Sequence, residues 1–143
     1  MQNSFQSILA KTELIVDEQD YRFISLPPNA IILAAGIIAE AAIPFCSLIV
    51  DELEITLILA EDVIEEFSSR LKLANISEEK FSLITFNVEL DFSVVGFMAQ
   101  ISQSLAAAEV SIMAISAYKR DHILVNKDQL DLSMKTLSKL KTG

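Results

Sequence analysis

The 143 residues are 52% hydrophobic and carry 20 acidic against 11 basic side chains, for a formal net charge of −9. That length makes one ordinary domain or two small ones, and the acidity leaves no electrostatic footprint for nucleic acid or an anionic membrane surface. Residues 1–80 hold fourteen acids and five bases whereas residues 81–143 hold six of each, an asymmetry that predicts two subdomains, at 1–76 and 77–143.

A mean hydropathy of +0.43 raises the question of a membrane span. The best candidate, Ala30 to Phe45, contains Gly36, Glu40 and Pro44 and falls short of the roughly 20 apolar residues a span requires. No basic region followed by a small-residue cleavage site opens the chain. A single cysteine, Cys46, makes no internal disulfide and fits a reducing compartment, where it reads as a small core residue. The expectation is a soluble, cytoplasmic protein.

In chain order, Thr12 to Val16 and Tyr21 to Leu26 read as strands around a polar turn, Asp17 to Asp20. Pro27-Pro28-Asn29 stops the chain and leads into a helix from Ala30 to about Ala41. Pro44 to Val50 and Glu54 to Ala60 form a hairpin over Asp51-Glu52. Val63, Ile64, Phe67 and Leu71 supply a helical stripe, and Ser77 to Lys80 is a polar joint. The order then recurs. Phe81 to Glu89 alternates as a half-buried strand, with Ile84, Phe86 and Val88 on one face. Asp91-Phe92-Ser93 ends it, with Ser93 as the N-cap of a helix whose stripe is Val94, Phe97, Met98, Ile101, Leu105 and Ala108. Ser111 to Tyr118 and His122 to Val125 form a hairpin. Asn126 and Gln129 have capping-box spacing for a last helix with Leu130, Met134 and Leu137 inward. A repeated β-α-β-β-α order predicts an α+β fold of two tandem ferredoxin-like units, antiparallel sheets with helices on one face. The second unit has no closing strand, and the extra strand at Thr12 to Val16 would fill that vacant edge.

Catalytic patterns are missing. Three glycines, at 36, 96 and 143, build no phosphate-cradling loop, and one histidine, His122, builds neither a metal cluster nor a histidine-ordered triad. No enzyme activity, cofactor or metal is expected. The candidate site is the loop from Asp91 to Gly96, which opens onto a helix N-terminus and its free N–H groups, a natural seat for a carboxylate. Gly96 in a first helical turn costs about 1 kcal/mol relative to alanine; helix-on-sheet packing and close ligand approach explain it equally.

These residues resemble the ACT domain family, in particular its small tandem-ACT proteins. The resemblance rests on Asp91-Phe92-Ser93-Val94-Val95-Gly96-Phe97-Met98, on Leu105 through Ile112, on Ile115 through Val125, and more weakly on Glu54 through Leu59. It implies tandem units in one continuous sheet, a homodimer, a regulated protein partner, and sensing of a small molecule such as a free amino acid at an ACT–ACT interface. The implied ligand-binding residues are Asp91, Phe92, Ser93, Val94, Val95 and Gly96, holding a carboxylate, with Arg120 and Asp121; Asp121 would face an ammonium or basic group. Val95, Ala117 and Arg120 depart from the family pattern by replacing threonines, which removes two ligand hydroxyls and sets a cation beside Asp121. A second reading therefore stands: a structural or protein-interaction module that keeps the fold without the ligand.

Overall fold

The computed structural model describes residues 2–41, 45–90 and 93–143. Its elements are α1 (Gln2–Ala10), β1 (Glu13–Leu26), α2 (Ile31–Glu40), β2 (Ser47–Val50), β3 (Ile55–Ala60), α3 (Glu61–Glu66), β4 (Asn75–Ile76), β5 (Phe81–Asn87), α4 (Phe97–Ala107), β6 (Ile112–Ser116), β7 (Asp121–Asn126) and α5 (Leu130–Thr142). The chain forms two compact units: Gln19–Lys80 makes a central unit, and the segment up to Glu18 joins Phe81–Gly143 in a larger one.

Within the central unit the strand order is β2-β3-β1, with β4 on the free side of β1. The register runs antiparallel from Tyr21 opposite Ala60 to Leu26 opposite Ile55, and β4 sets Ile76 opposite Ile24. The expected stripe Val63, Ile64, Phe67 and Leu71 is buried, although the helix carrying it, α3, gives way to a 3-10 turn over Ser68–Leu71. The hairpin strand foreseen from Pro44 begins at Ser47; Pro44 itself lies outside the described residues.

In the larger unit the first half of β1 stands beside β5, followed by β7 and β6. The vacant edge is therefore filled by the N-terminal strand, as strand counting requires. The other register pairs run from Phe81 opposite Asn126 to Phe86 opposite Asp121, and from Ile112 opposite Val125 to Ser116 opposite Asp121. Ile84 and Phe86 are fully buried and Val88 packs against the same core. On α4 the stripe is as expected, with Phe97, Ile101 and Leu105 inward. Leu137 of α5 is fully buried, with Leu130 and Met134 packed against the cluster.

Three expectations are corrected. The polar turn at Asp17 to Asp20 is extended backbone inside a single 14-residue strand. Those four residues offer charge but no glycine or proline to reverse the chain, and ladder partners on either side keep it straight. Residues 2–10, unassigned from the sequence, form α1, whose Phe5 and Leu9 are 5% and 0% exposed and join the core of the larger unit. Thr12 closes this helix by bonding Ile8 O at 2.6 Å. The capping box is half made: Asn126 Oδ1 accepts the Asp128 N–H at 2.9 Å, but Gln129 Nε2 donates to Glu109 O at 3.1 Å, away from the cap. Among the described residues no helix is long and apolar enough to cross a membrane; α2, the core of the candidate span, has ten residues.

Candidate functional site

The segment between β5 and α4 is tied down before it reaches the helix. The Leu90 N–H donates to Lys119 O at 2.6 Å, and the hairpin turn is closed by the Ala117 N–H on Arg120 O at 2.9 Å. This sets the loop against the β6–β7 turn. Between them is a cleft of about 360 Å³ lined by Leu90, Val94, Gly96 and the first residues of α4 on one side and by Ser116, Ala117, Tyr118 and Asp121 on the other. Phe97 borders it and is held from behind by Phe86, edge-on at 5.7 Å, and by Phe5, tilted at 5.6 Å.

The helix starts later than the sequence suggests. Ser93 is an exposed turn residue and not the N-cap; α4 begins at Phe97 with Gly96 in the cap position. Gly96 has φ +83°, and a Cβ there would meet nothing within 4 Å. Neither close packing nor crowding explains this glycine. Its backbone does, because left-handed geometry is disfavoured for residues with a Cβ by roughly 1–2 kcal/mol. Gly96→Ala is therefore expected to destabilise the protein by about 1 kcal/mol, read as a lower urea midpoint with an unchanged m-value. An unchanged midpoint would remove the conformational account.

The cap residue, being glycine, supplies no side-chain acceptor of its own to the first N–H groups of α4. The residues bearing them, Phe97, Met98 and Ala99, all line the cleft. With the helix dipole, they make the cleft's helix side attractive to an anion. Among the described residues, Asp121 is the one formally charged side chain lining the opposite side. An anion-seeking end opposite the Asp121 carboxylate suits a zwitterion.

The predicted site residues separate into groups. Val94, Gly96 and Asp121 come together on the cleft. Val95 is 88% exposed and is not among the lining residues. Ser93 is exposed in the turn before it. Asp91 and Phe92 lie outside the described residues. Arg120, the last residue of the turn before β7, is not among the residues lining the cleft with Asp121. Its Nε donates to Asn87 Oδ1 at 2.9 Å, and Asn87 Nδ2 donates to Glu13 Oε1 at 3.1 Å. The arginine is held by this ladder, which reaches back to β1. Residues the sequence reading missed are Leu90, Ser116 and Tyr118, together with Phe97 and Met98, which read only as helix core. Their signal is topological: the hairpin turn meets the strand-to-helix loop only once β7 pairs with β5.

His122 follows Asp121 on β7. Its Nδ1 and Thr85 Oγ1 are 2.8 Å apart. Burial, more than any other cause, holds the imidazole below its usual value; Asp121 opposes the shift and Arg120 adds to it. In the unfolded chain this histidine takes up a proton near pH 6.5, whereas the fold accepts one only at lower pH. Its stabilising contribution is thus complete above that unfolded value, declines as pH falls through it, and is gone below the folded value. The stability difference between the wild type and His122→Gln is expected to shrink between about pH 7.5 and about pH 5.5. Paired urea titrations would show this, and a pH-independent difference would contradict it.

Metal and thiol chemistry find no support. Among the described residues no three His, Cys, Asp or Glu side chains gather to hold an ion. Cys46, expected in the core, is only partly buried, and burial pushes its thiol up, away from a reactive thiolate.

The fold and cleft define a protein of two ferredoxin-like α+β units with a ligand-sized opening where a strand hands over to a helix. Residues 76–139 match the family model described as ACT domain. That segment belongs to the ACT domain family, and the chain is an ACT-domain protein. The rat cytosolic arginine sensor for mTORC1 subunit 1 (Rattus norvegicus) is 30% identical over 120 residues, covering 83% of this chain and 35% of the relative. The chain thus spans about a third of that relative's length. Two solved structures share the fold. A protein of unknown function from Vibrio cholerae, described as a possible transport protein, has a TM-score of 0.70 at 21% identity, covering 98% of each chain. The regulatory subunit of aspartate kinase from Thermus flavus has a TM-score of 0.68 at 14% identity, covering 89% of this chain and 95% of that one.

Proposed function

We propose that this protein is a non-catalytic, cytoplasmic regulatory protein that binds a free amino acid in the cleft between the Leu90–Gly96 loop and the β6–β7 turn. The observation that carries the reading is the convergence of Gly96, the α4 N-terminus and Asp121 on one cleft within the ACT segment. The ligand carboxylate would lie at the N–H groups of Phe97 to Ala99, its ammonium would face Asp121, and its side chain would contact Leu90, Val94 and Met98. A neighbouring ACT unit would close the cleft, so that ligand binding favours one association of units over another and passes that state to a protein partner. The relative named as an arginine sensor and the regulatory subunit of aspartate kinase support a role of this kind.

The test is a thermal-shift screen of the purified protein against all proteinogenic amino acids. A saturable shift from one of them supports the reading; a flat panel from folded protein ends it. The competing reading, an interaction module without a ligand, draws on Val95 and Ala117, where the family pattern has threonines. It predicts that flat panel together with a stable protein–protein complex.

A further inference from the structure

The central unit carries a groove of its own, about 630 Å³, lined by apolar Leu26, Ala30, Leu33 and Leu73 and by the cations Arg70 and Lys72. Leu73 is 90% exposed at this groove. The cations are unusual in their setting. Residues 19–80 contain eleven acids and only four bases. Two of those bases, Arg22 and Lys80, are drawn to Glu61 at 2.6 and 3.6 Å. The other two line the groove. Arg70 forms a two-pronged pair with Glu40, whereas Lys72 has no carboxylate partner among the described residues.

A feature of complementary chemistry stands at the same end of the same unit. The β2–β3 turn reads Asp51-Glu52-Leu53-Glu54, and Leu53 is 85% exposed at its apex. This turn is rigid. Asp51 Oδ1 accepts the N–H groups of Leu53 at 2.7 Å and Glu54 at 2.9 Å, and Ser25 Oγ donates to Glu54 Oε1 at 3.1 Å. The side chain hydrogen-bonding that fixes the turn thus holds a large apolar residue out between two glutamates. Leu26, where the groove begins, pairs with Ile55, the residue directly after the turn, which is why tip and groove share one end.

We infer that this end is a self-complementary docking surface for a second copy of the chain: Leu53 of each copy enters the groove of the other, and Glu52 meets Lys72 across the contact. Because each copy offers both tip and groove at one end, a single two-fold axis makes both contacts at once, the closed isologous arrangement typical of homodimers. Apolar-on-apolar contact flanked by acid-on-base contact selects a partner of this composition, and the preformed turn reduces the ordering cost of docking. The inference does not depend on the amino-acid ligand.

The experiment is sedimentation equilibrium of the full chain and of Glu52→Lys, Lys72→Glu and the double variant. Both positions are exposed, so unchanged circular dichroism melts are expected throughout. The wild type is expected to dimerise, more weakly as salt rises. Each single charge reversal should weaken the dimer by about 10-fold to about 100-fold, since it places like charges together at two sites per dimer. The double variant, with the pair inverted, should recover most of that loss. Leu53→Glu should abolish the dimer, and adding Lys72→Glu should not restore it. A monomeric wild type at every concentration overturns the inference. So does a dimer indifferent to the single reversals, which would place the contact elsewhere, for instance along the β2 edge, or a double variant that fails to recover.

Discussion

At a hundredfold excess over its dissociation constant, the amino acid ligand is expected to stabilise the protein by about 2.7 kcal/mol, and Asp121→Ala should remove at least about half of that gain. The argument follows from the cleft's charge pattern. Its helix side supplies backbone N–H groups that Asp121→Ala leaves in place, so the carboxylate end of a ligand should persist in that variant. Among the described residues Asp121 is the only carboxylate lining the other side, and a hydrogen bond to a charged group is worth about 1.5–3 kcal/mol. Its loss should therefore raise the dissociation constant by about 10-fold to about 100-fold, measured by calorimetry. Arg120→Ala is the internal control. That side chain is engaged with Asn87 and is not among those lining the cleft, so affinity should stay within about threefold of wild type. If Arg120→Ala removed binding and Asp121→Ala did not, the zwitterion placement would be wrong. If neither variant had an effect on a genuine ligand, that ligand would bind elsewhere.

Removing the N-terminal segment is expected to unfold the larger unit selectively. A chain beginning at residue 19 keeps every residue of the central unit but loses α1 and the first half of β1. The larger unit would then expose the edge of β5 and the core surface that Phe5, Leu9, Leu14 and Val16 cover. A β-α-β-β-α set without its fourth strand has an unpaired edge and an open core. Hydrogen exchange should therefore show loss of protection across β5, β6 and β7, with protection retained in β1 and β3. The milder Leu9→Ala, at a position with 0% exposure, should cost about 2–5 kcal/mol by the lost burial and the cavity left behind. Retained protection of β5 and β7 in the shortened chain would mean that the larger unit is complete without its N-terminal strand.

Much of this architecture was legible in the residues. Period-two alternation at Ile84, Phe86 and Val88, and the 3.6-residue stripe of Phe97, Ile101 and Leu105, are local signals set by strand and helix geometry. Both survive in the fold because tertiary packing uses the same faces. Even α1 left a trace, with Phe5, Ile8 and Leu9 at helical spacing, too short a pattern to stand without its caps. The site was partly legible: Gly96 and Asp121 were named for their chemistry and do line one cleft. The packing reason given for Gly96 does not hold, since a Cβ there would meet nothing within 4 Å. Glycine's need for positive φ depends on where the helix starts, and that start shifted three residues past Ser93.

By itself, then, the chain's order of residues determined the element types, the two β-α-β-β-α sets and the apolar faces, because each arises from contacts a few residues apart. The tertiary structure decided three things that such contacts leave open. One is the owner of residues 2–18, since an edge strand is claimed by whichever open edge it can pair with, however distant in sequence. Another is the division of labour between Arg120 and Asp121, since Arg120 meets its partner Asn87 only once β7 is paired with β5. The third is the cleft itself, which exists because β7 pairs with β5 and so brings the turn around Lys119 against the distant loop beginning at Leu90. Strand pairing is non-local, and its outcome is a competition among all the edges in the fold.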